Sequence, residues 1–319
     1  MKRYVIGRVG AAIPVIFLVT LIAFFIMQLV PGDPASVIAG SNATQEEVEL
    51  VRQQLGLDQP VLHRLLAWYA ALLHGDLGQS ILLQRSVASA ILERLPVTLS
   101  LTAYALVLTV VFGVAAGVLA AVNRGSWVDQ LCMAGALLGV SLPNFWLGLI
   151  LIFWLAAGLG WFPTGGYVPF STDPAGWLRA LTLPAFALAL LQMGLLARIT
   201  RSSMLEVLNQ EYVRTAKAKG LPPLVVVGKH ALRNVVVPVV TVIGIITSHM
   251  VSGSVVIETV FSLPGLGRLI IQGILRRDYP VIQGGLLVTA TAFVVINLLV
   301  DLLYSRLDPR IVLQKGTTR

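Results

Sequence analysis

Hydrophobic positions in this chain rarely alternate with polar ones; they run on without a break. The first such run, Val9 to Val30, is 22 residues without a charge, beyond the ~18 that mark a membrane-spanning helix. Further runs cover residues 97–122, 131–157, 181–197, 235–257 and 281–300. Each can cross a hydrocarbon core of about 30 Å at about 1.5 Å per helical residue. The pattern therefore predicts an all-α polytopic membrane protein with six transmembrane helices. No small-residue cleavage site precedes the turn Pro31-Gly32-Asp33-Pro34, so the first run is expected as a retained span rather than a removed signal. Pro14 and Pro184 fall inside spans, where neighbouring helices and hydroxyls can satisfy the freed backbone groups.

Shorter periodic stretches lie between the spans. Thr44-Gln-Glu-Glu47 reads as a capping box, followed by Val48, Val51 and Leu55 at helical spacing and by Gly56 as a stop. Pro60 then opens a stripe of Leu62, Leu65, Leu66, Tyr69, Leu72 and Leu73, closed by Gly75. That stripe suits either the headgroup region or a packed cap over the outer ends of the spans. Asn209 is placed to cap a helix ending at Gly220-Leu221-Pro222-Pro223, and a second short helix is expected over 224–234. The expected organisation is thus an N-terminus (1–8), a first transmembrane helix (9–30), a long segment with amphipathic helices (31–95), a five-helix core (96–305) containing a charged loop (201–234), and a tail (306–319).

Composition confirms the class and charge orients it. Charged residues are 12% of the 319 and hydrophobic residues 56%, which excludes an ordinary soluble enzyme. An even span count puts both termini on one side. With the termini inside, that side holds three Lys/Arg in the N-terminus, one in the 123–130 loop, seven in 198–234 and four at the C-terminus: 15 of the 23, including every lysine. Cytoplasmic flanks collect cations, so both termini are expected in the cytoplasm and 31–95 outside. The net +8 is therefore a topology signal, and nucleic acid need not be invoked. Cys132 is the single cysteine, which rules out a disulfide framework, and no metal-ligand spacing is present among the histidines.

Candidate chemistry is sparse. Small residues recur four apart at Gly113, Gly117 and Ala121, at Gly135 and Gly139, and at Gly244, Ser248 and Ser252. Ordinary close packing of helices accounts for them. The spans carry no charge at mid-depth, and their polar residues are neutral: Ser141, Asn144, Gln192, Thr241, Thr247, Ser248, His249, Ser252, Ser254 and Asn297. Interhelical hydrogen bonding is one use for such groups. Lining a pathway for polar solutes is the other, and Ser141, Asn144, Thr247, Ser248, His249 and Ser252 are the candidates for it. No Gly-x-x-x-x-Gly-Lys-Ser/Thr loop is present, so this chain carries no nucleotide site of that kind. No paired carboxylates or nucleophile set suggests an enzyme.

The segment Glu211-Tyr-Val-Arg-Thr-Ala-Lys-Ala-Lys-Gly220-Leu221, with His230-Ala-Leu-Arg-Asn234 and Pro238, resembles the cytoplasmic loop of ATP-binding-cassette importer permeases of the dipeptide, oligopeptide and nickel group. The resemblance extends nearly end to end through Pro31-Gly-Asp-Pro34, Leu55-Gly-Leu-Asp58, Gly75-Asp-Leu-Gly78, Glu93-Arg-Leu-Pro96, Ser141-Leu-Pro-Asn-Phe-Trp-Leu147, Glu258-Thr-Val-Phe261, Pro264-Gly-Leu-Gly-Arg268, Arg277-Asp-Tyr-Pro280 and Leu307-Asp-Pro-Arg310. The wider superfamily has Glu-Ala-Ala where Arg214-Thr215-Ala216 stand, and Leu-Pro where Leu232-Arg233 stand, a departure that narrows the subgroup. The resemblance implies a type I importer permease fold in the bacterial cytoplasmic (inner) membrane. It also implies that Glu211, Tyr212, Val213, Arg214, Thr215, Ala216, Lys217, Ala218, Lys219 and Gly220 form a helix docking on a cytoplasmic ATPase. The implied partners are a second homologous permease subunit, two ABC ATPase subunits that bind ATP and Mg, an external solute-binding protein and membrane lipid.

The sequence read alone thus leaves several functions open. An ATP-driven importer of short peptides leads, with nickel chelates, glutathione or another small solute as alternative cargo. A neutral lining suits a zwitterionic peptide, which a strongly charged wall would hold by one end. A self-sufficient channel or secondary carrier is the competing class, disfavoured by the missing mid-membrane charges and absent repeats.

Overall fold

A computed structural model describes residues 2–29, 33–40, 42–54 and 56–307. Pro31, Gly32 and Leu55 lie outside the described residues, as does 308–319 with the Asp308-Pro309-Arg310 motif and most of the tail. In chain order the elements are α1 (Lys2–Leu29), α2 (Pro34–Ala39), α3 (Gln45–Gln54), α4 (Val61–Leu73), a ribbon of β1 (Gln79–Ser80) and β2 (Arg85–Ser86), and α5 (Val87–Val122). Then come α6 (Trp127–Ser141), α7 (Asn144–Leu151) widening into a π turn (Ile152–Gly158), α8 (Pro174–Leu208) and α9 (Glu211–Ala218). Last are α10 (Pro223–Val225), a second π turn (Val226–Leu232), α11 (Arg233–Val260), α12 (Leu266–Arg276) and α13 (Tyr279–Leu307).

Among the described residues four helices are long and apolar enough to cross a membrane, or five if α6 and α7 count as one span; α1 contributes a shorter apolar stretch, Gly10–Phe25. The expected single span over 131–157 is broken, with α6 and α7 bent by 102°. Pro143 stands at the break and caps α7; lacking an N–H, it cannot continue the ladder of α6.

Two compact units divide the chain. In the first, residues 2–9, 97–263 and 295–307, the core is α8, which buries Leu181, Leu183, Ala185, Leu188, Leu196 and Met204. Small residues let neighbours reach its backbone. A Cβ on Gly117 of α5 would stand 2.6 Å from the Ala197 carbonyl oxygen, and one on Gly139 of α6 would stand 2.9 Å from that of Leu190. Gly135 meets nothing within 4 Å, so only half of that sequence pair is a packing site.

The order of these contacts gives direction. Along α5 and α8 they run in parallel: Tyr104 Oη meets Thr182 Oγ1 at 3.2 Å, Thr109 Oγ1 donates to the Ala189 carbonyl at 3.4 Å, and Gly117 faces Ala197 and Thr200. Along α6 and α8 they run antiparallel, from Asp129 with Arg201 to Gly139 with Leu190. Gly148 of α7 then reaches Phe261, at the far end of α11. Two parallel helices require the chain to return between them, so α6 and α7 together make one crossing despite the bend.

One end of this unit therefore gathers residues 97–104, 158–182 and 258–263; the other gathers 117–129 and 197–235. Arg124, Arg198, Arg201, Arg214, Lys217, Lys219, Lys229 and Arg233 all belong to the second end, which the cation rule assigns to the cytoplasm. A cysteine replacing Gln45 or Thr172, both exposed, is expected to react with an impermeant maleimide from outside, and one replacing Lys217 only after permeabilisation. The reverse labelling would invert the topology.

The second unit comprises 10–96 and 264–294. Its core joins Val87 and Ile91 of α5 to Leu269 and Ile270 of α12 and Val281 of α13. Buried Asp278 fastens the β ribbon: Ser80 Oγ donates to its carboxylate at 2.5 Å and the Leu82 N–H at 3.3 Å, while the Val281 N–H donates at 3.4 Å. Two-residue strands are too short to leave a periodic signal, so the ribbon has no forerunner in the hydropathy pattern. The capping box is present, with the Thr44 N–H donating to Glu47 at 2.8 Å and the Glu47 N–H to Thr44 Oγ1 at 3.3 Å. Burial raises the Asp33 carboxyl, but Arg52 at 2.7 Å and the Ala35 N–H outweigh it and hold it below the usual range.

Candidate functional site

The charged loop folds as a short helix on the cationic end of the first unit. Asn209 does not cap it. It closes α8 instead, because α8 runs on to Leu208 and the turn falls at Asn209-Gln210. Glu211 stands in the first turn of α9 and Lys217 in the last, each complementing the helix dipole. The end is a Schellman turn: the Gly220 N–H donates to Lys217 at 3.0 Å and the Leu221 N–H to Ala216 at 3.4 Å, with Gly220 at φ +76°.

The residues of this implied docking helix are not all free at its surface. Val213 and Ala216 do not offer a contact outward; they are buried against Val226, Val207 and Leu208 of this same chain. The reason is local: the Pro222-Pro223 corner folds the π turn back beneath α9. Tyr212, Arg214, Thr215, Lys217, Ala218 and Lys219 remain exposed. Tyr212 is also tied inward, since Asn234 Nδ2 donates to its hydroxyl at 3.0 Å and to the His230 carbonyl at 2.8 Å.

That bond matters because Asn234 stands in the first turn of α11. The short helix expected over 224–234 is no separate element; α10, the π turn and α11 run as one continuous helix, Pro223–Val260. α9 is thus joined to a spanning helix through the Val213-Ala216-Val226 cluster and the Tyr212-Asn234 bond. Beside it, Arg201 of α8 forks onto Asp129 at 2.6 and 2.7 Å, and Asp129 also accepts from the Gly125 N–H at 3.0 Å. Bidentate geometry of this kind fixes orientation as well as distance, so the loop before α6 is locked to α8.

On the membrane side α11 leaves one face open. Ile245, His249, Ser252, Val256 and Thr259 are exposed at steps of four, three, four and three residues. Of the expected lining residues, His249 and Ser252 lie on that face, Ser141 is exposed at the end of α6, and Asn144 and Thr247 are half-buried. Ser248 is not on the open face. It is buried, its hydroxyl turned to the Gly244 carbonyl at 3.5 Å, because Gly244 and Ser248 point toward the packed side of α11.

Glu258, which the hydropathy pattern places just past the fifth span, lies inside α11 and is fully buried, accepting from Thr98 Oγ1 at 2.6 Å. Its position three residues from Phe261 puts it at the end of α11 opposite the cationic one rather than midway along the helix. The Glu258-Thr-Val-Phe261 motif was the available signal.

Three comparisons bear on this arrangement. The family described as binding-protein-dependent transport system inner membrane component matches residues 113–313, and its N-terminal companion matches residues 1–102. A protein of Brucella suis biovar 1, provisionally named as a peptide transport system permease, is 52% identical over 311 residues, spanning 98% of this chain and 99% of its own. The glutathione transport system permease GsiC of Escherichia coli O6:H1 is 44% identical over 311 residues, 98% and 99% of the two chains. The fold is similar to a chain of the inward-facing MetNI methionine ABC transporter, with TM-score 0.58 and 19% identity over 69% of this chain and 97% of that one.

Proposed function

We propose, since this chain belongs to the family of binding-protein-dependent transport system inner membrane components, that it is the permease through which short peptides enter a bacterial cell across the cytoplasmic membrane. The observation that carries the reading is α9, a short helix with an exposed cationic rim, mechanically tied to α11 at the cationic end of the bundle. Its exposed residues are the ones we assign to docking on a cytoplasmic ATPase, with Val213 and Ala216 holding the helix in place from beneath.

The open face of α11 then meets a second, homologous permease, and the pathway runs between them past His249, Ser252 and Ser141. ATP and Mg belong to two partner ATPases, and an external binding protein delivers the cargo. Peptide cargo is supported by the name of the Brucella relative and by the hydroxyl and imidazole groups of the face. Glutathione is the second reading, supported by the GsiC relative.

The test is uptake into proteoliposomes holding this chain, its sister permease, both ATPases and the binding protein. ATP-dependent accumulation of labelled di- and oligopeptides is expected, and none with this chain alone. Accumulation of glutathione without peptides would move the assignment to the second reading. Uptake by the isolated chain would refute the subunit role.

A further inference from the structure

Most polar side chains of the open region of the first unit are satisfied by their own helix. On α11 the hydroxyls of Thr241, Thr247, Ser248, Ser254 and Thr259 donate to carbonyls three or four residues back, at 2.7 to 3.5 Å. Ser141, at the end of α6, does the same toward Leu137 at 2.8 Å. Asn144, His249 and Ser252 differ. Among the described residues none of these three side chains makes a hydrogen bond, and Ser252 is the one hydroxyl of α11 that leaves the carbonyl behind it alone, although that bond is readily made in a helix.

The three groups stand close in level. A Cβ on Gly253 would lie 3.9 Å from Asn144 Nδ2, and one on Gly148 would lie 3.4 Å from Val260 Cγ1, so α7 starts beside Gly253 and runs along α11 toward Phe261. The break at Pro143 is what starts α7 there. Asn144 is thus fixed beside the turn that carries Ser252. His249 comes four residues before Gly253, on the same side of α11 and about 6 Å away along its axis. Gly253 has no side chain to fill the space between the imidazole and the carboxamide. The set offers hydrogen-bond donors and acceptors and holds no carboxylate or ammonium.

Polar groups without partners are costly beside acyl chains, so this part of the face does not meet lipid. A permanent protein neighbour is disfavoured by the pattern within the chain itself: where α11 stays packed, as at buried Ser248 and Ser254, hydroxyls turn to their own carbonyls. A partner that comes and goes leaves its contact groups unbonded in its absence. A peptide main chain is such a partner, and it brings an N–H and a C=O at nearly every residue. We infer that Asn144, His249 and Ser252 hold the peptide main chain in transit, through hydrogen bonds to its amide groups and whatever side chains the cargo carries. This rests on the reading that the open face of α11 lines the pathway.

The experiment uses the complete transporter in proteoliposomes, with the binding protein preloaded either with labelled trialanine or with trialanine N-methylated at its central residue, which removes one amide donor and keeps the side chains. The wild type is expected to import trialanine about 3- to 10-fold faster than the analogue, the worth of one hydrogen bond. In the double variant Asn144→Leu, Ser252→Ala that ratio is expected to approach one, with Ser252→Ala alone, the smaller change, lowering it in part. A merely structural defect slows both cargoes alike, so an unchanged ratio in either variant overturns the proposal. A second measurement separates this from failure of the pathway reading. In a Cys132→Ala background, the thiol introduced by Ser252→Cys is expected to react with a small methanethiosulfonate in the assembled transporter. An unreactive thiol would remove the pathway reading and the proposal with it; a reactive thiol with an unchanged ratio would overturn the amide contact alone.

Discussion

Gly194→Val is expected to abolish accumulation of the permease in the membrane, the largest effect of any single substitution considered. Gly194 lies on α8, where a Cβ would stand 2.3 Å from the Ala136 carbonyl oxygen and 3.0 Å from Val140 Cγ2. Backbone cannot step aside by changing rotamer, so α6 and α8 must separate, and with them the bidentate pair Asp129-Arg201. Overpacking alone costs about 1–3 kcal/mol; a backbone clash at the centre of a bundle exceeds that. Gly135→Val is the control, since its Cβ meets nothing within 4 Å. Quantitative immunoblotting of membranes checks both, and equal abundance of the two variants would show that α6 and α8 do not approach as described.

The second large effect is on transport with abundance unchanged. Gly220 stands at φ +76° with open space around its Cβ position, so a side chain there meets no clash and strains only the backbone. A β-branched residue in the left-handed region costs roughly 1–2 kcal/mol, which lowers the population of the correctly ended helix by about 5- to 30-fold. The eight-residue α9 is held mainly by the Val213-Ala216-Val226 cluster and has little reserve. Gly220→Val is therefore expected to insert normally yet lose most peptide uptake and its coupling to ATP hydrolysis, with Gly220→Asn milder because asparagine tolerates this region. Wild-type uptake and coupling in Gly220→Val at normal abundance would count against α9 as the docking helix.

The sequence by itself determined the class of this protein and where most of its long apolar helices fall. These follow from composition and run length, because a bilayer demands long apolar helices. Local punctuation was equally legible: the Thr44-Glu47 capping box, the stop at Gly220 and the start after Pro60 each act through backbone groups within a few residues.

Tertiary structure decided everything that depends on which face of a helix meets which neighbour. Gly135 and Gly139 read alike in sequence, yet only Gly139 touches α8; Gly194, whose match is the unremarked Ala136, escaped the four-residue pattern because Leu190 and Arg198, four residues to either side, are not small. Ser248 and His249 are adjacent and both polar, yet one faces the packed side of α11 and the other the open side. Val213 and Ala216 look like an interface, but the Pro222-Pro223 corner brings Val226 onto them. In spans that are apolar all round, hydropathy carries no periodic signal to mark the buried side. The facing of each helix is set by close approach of particular backbones, a property of pairs of distant residues.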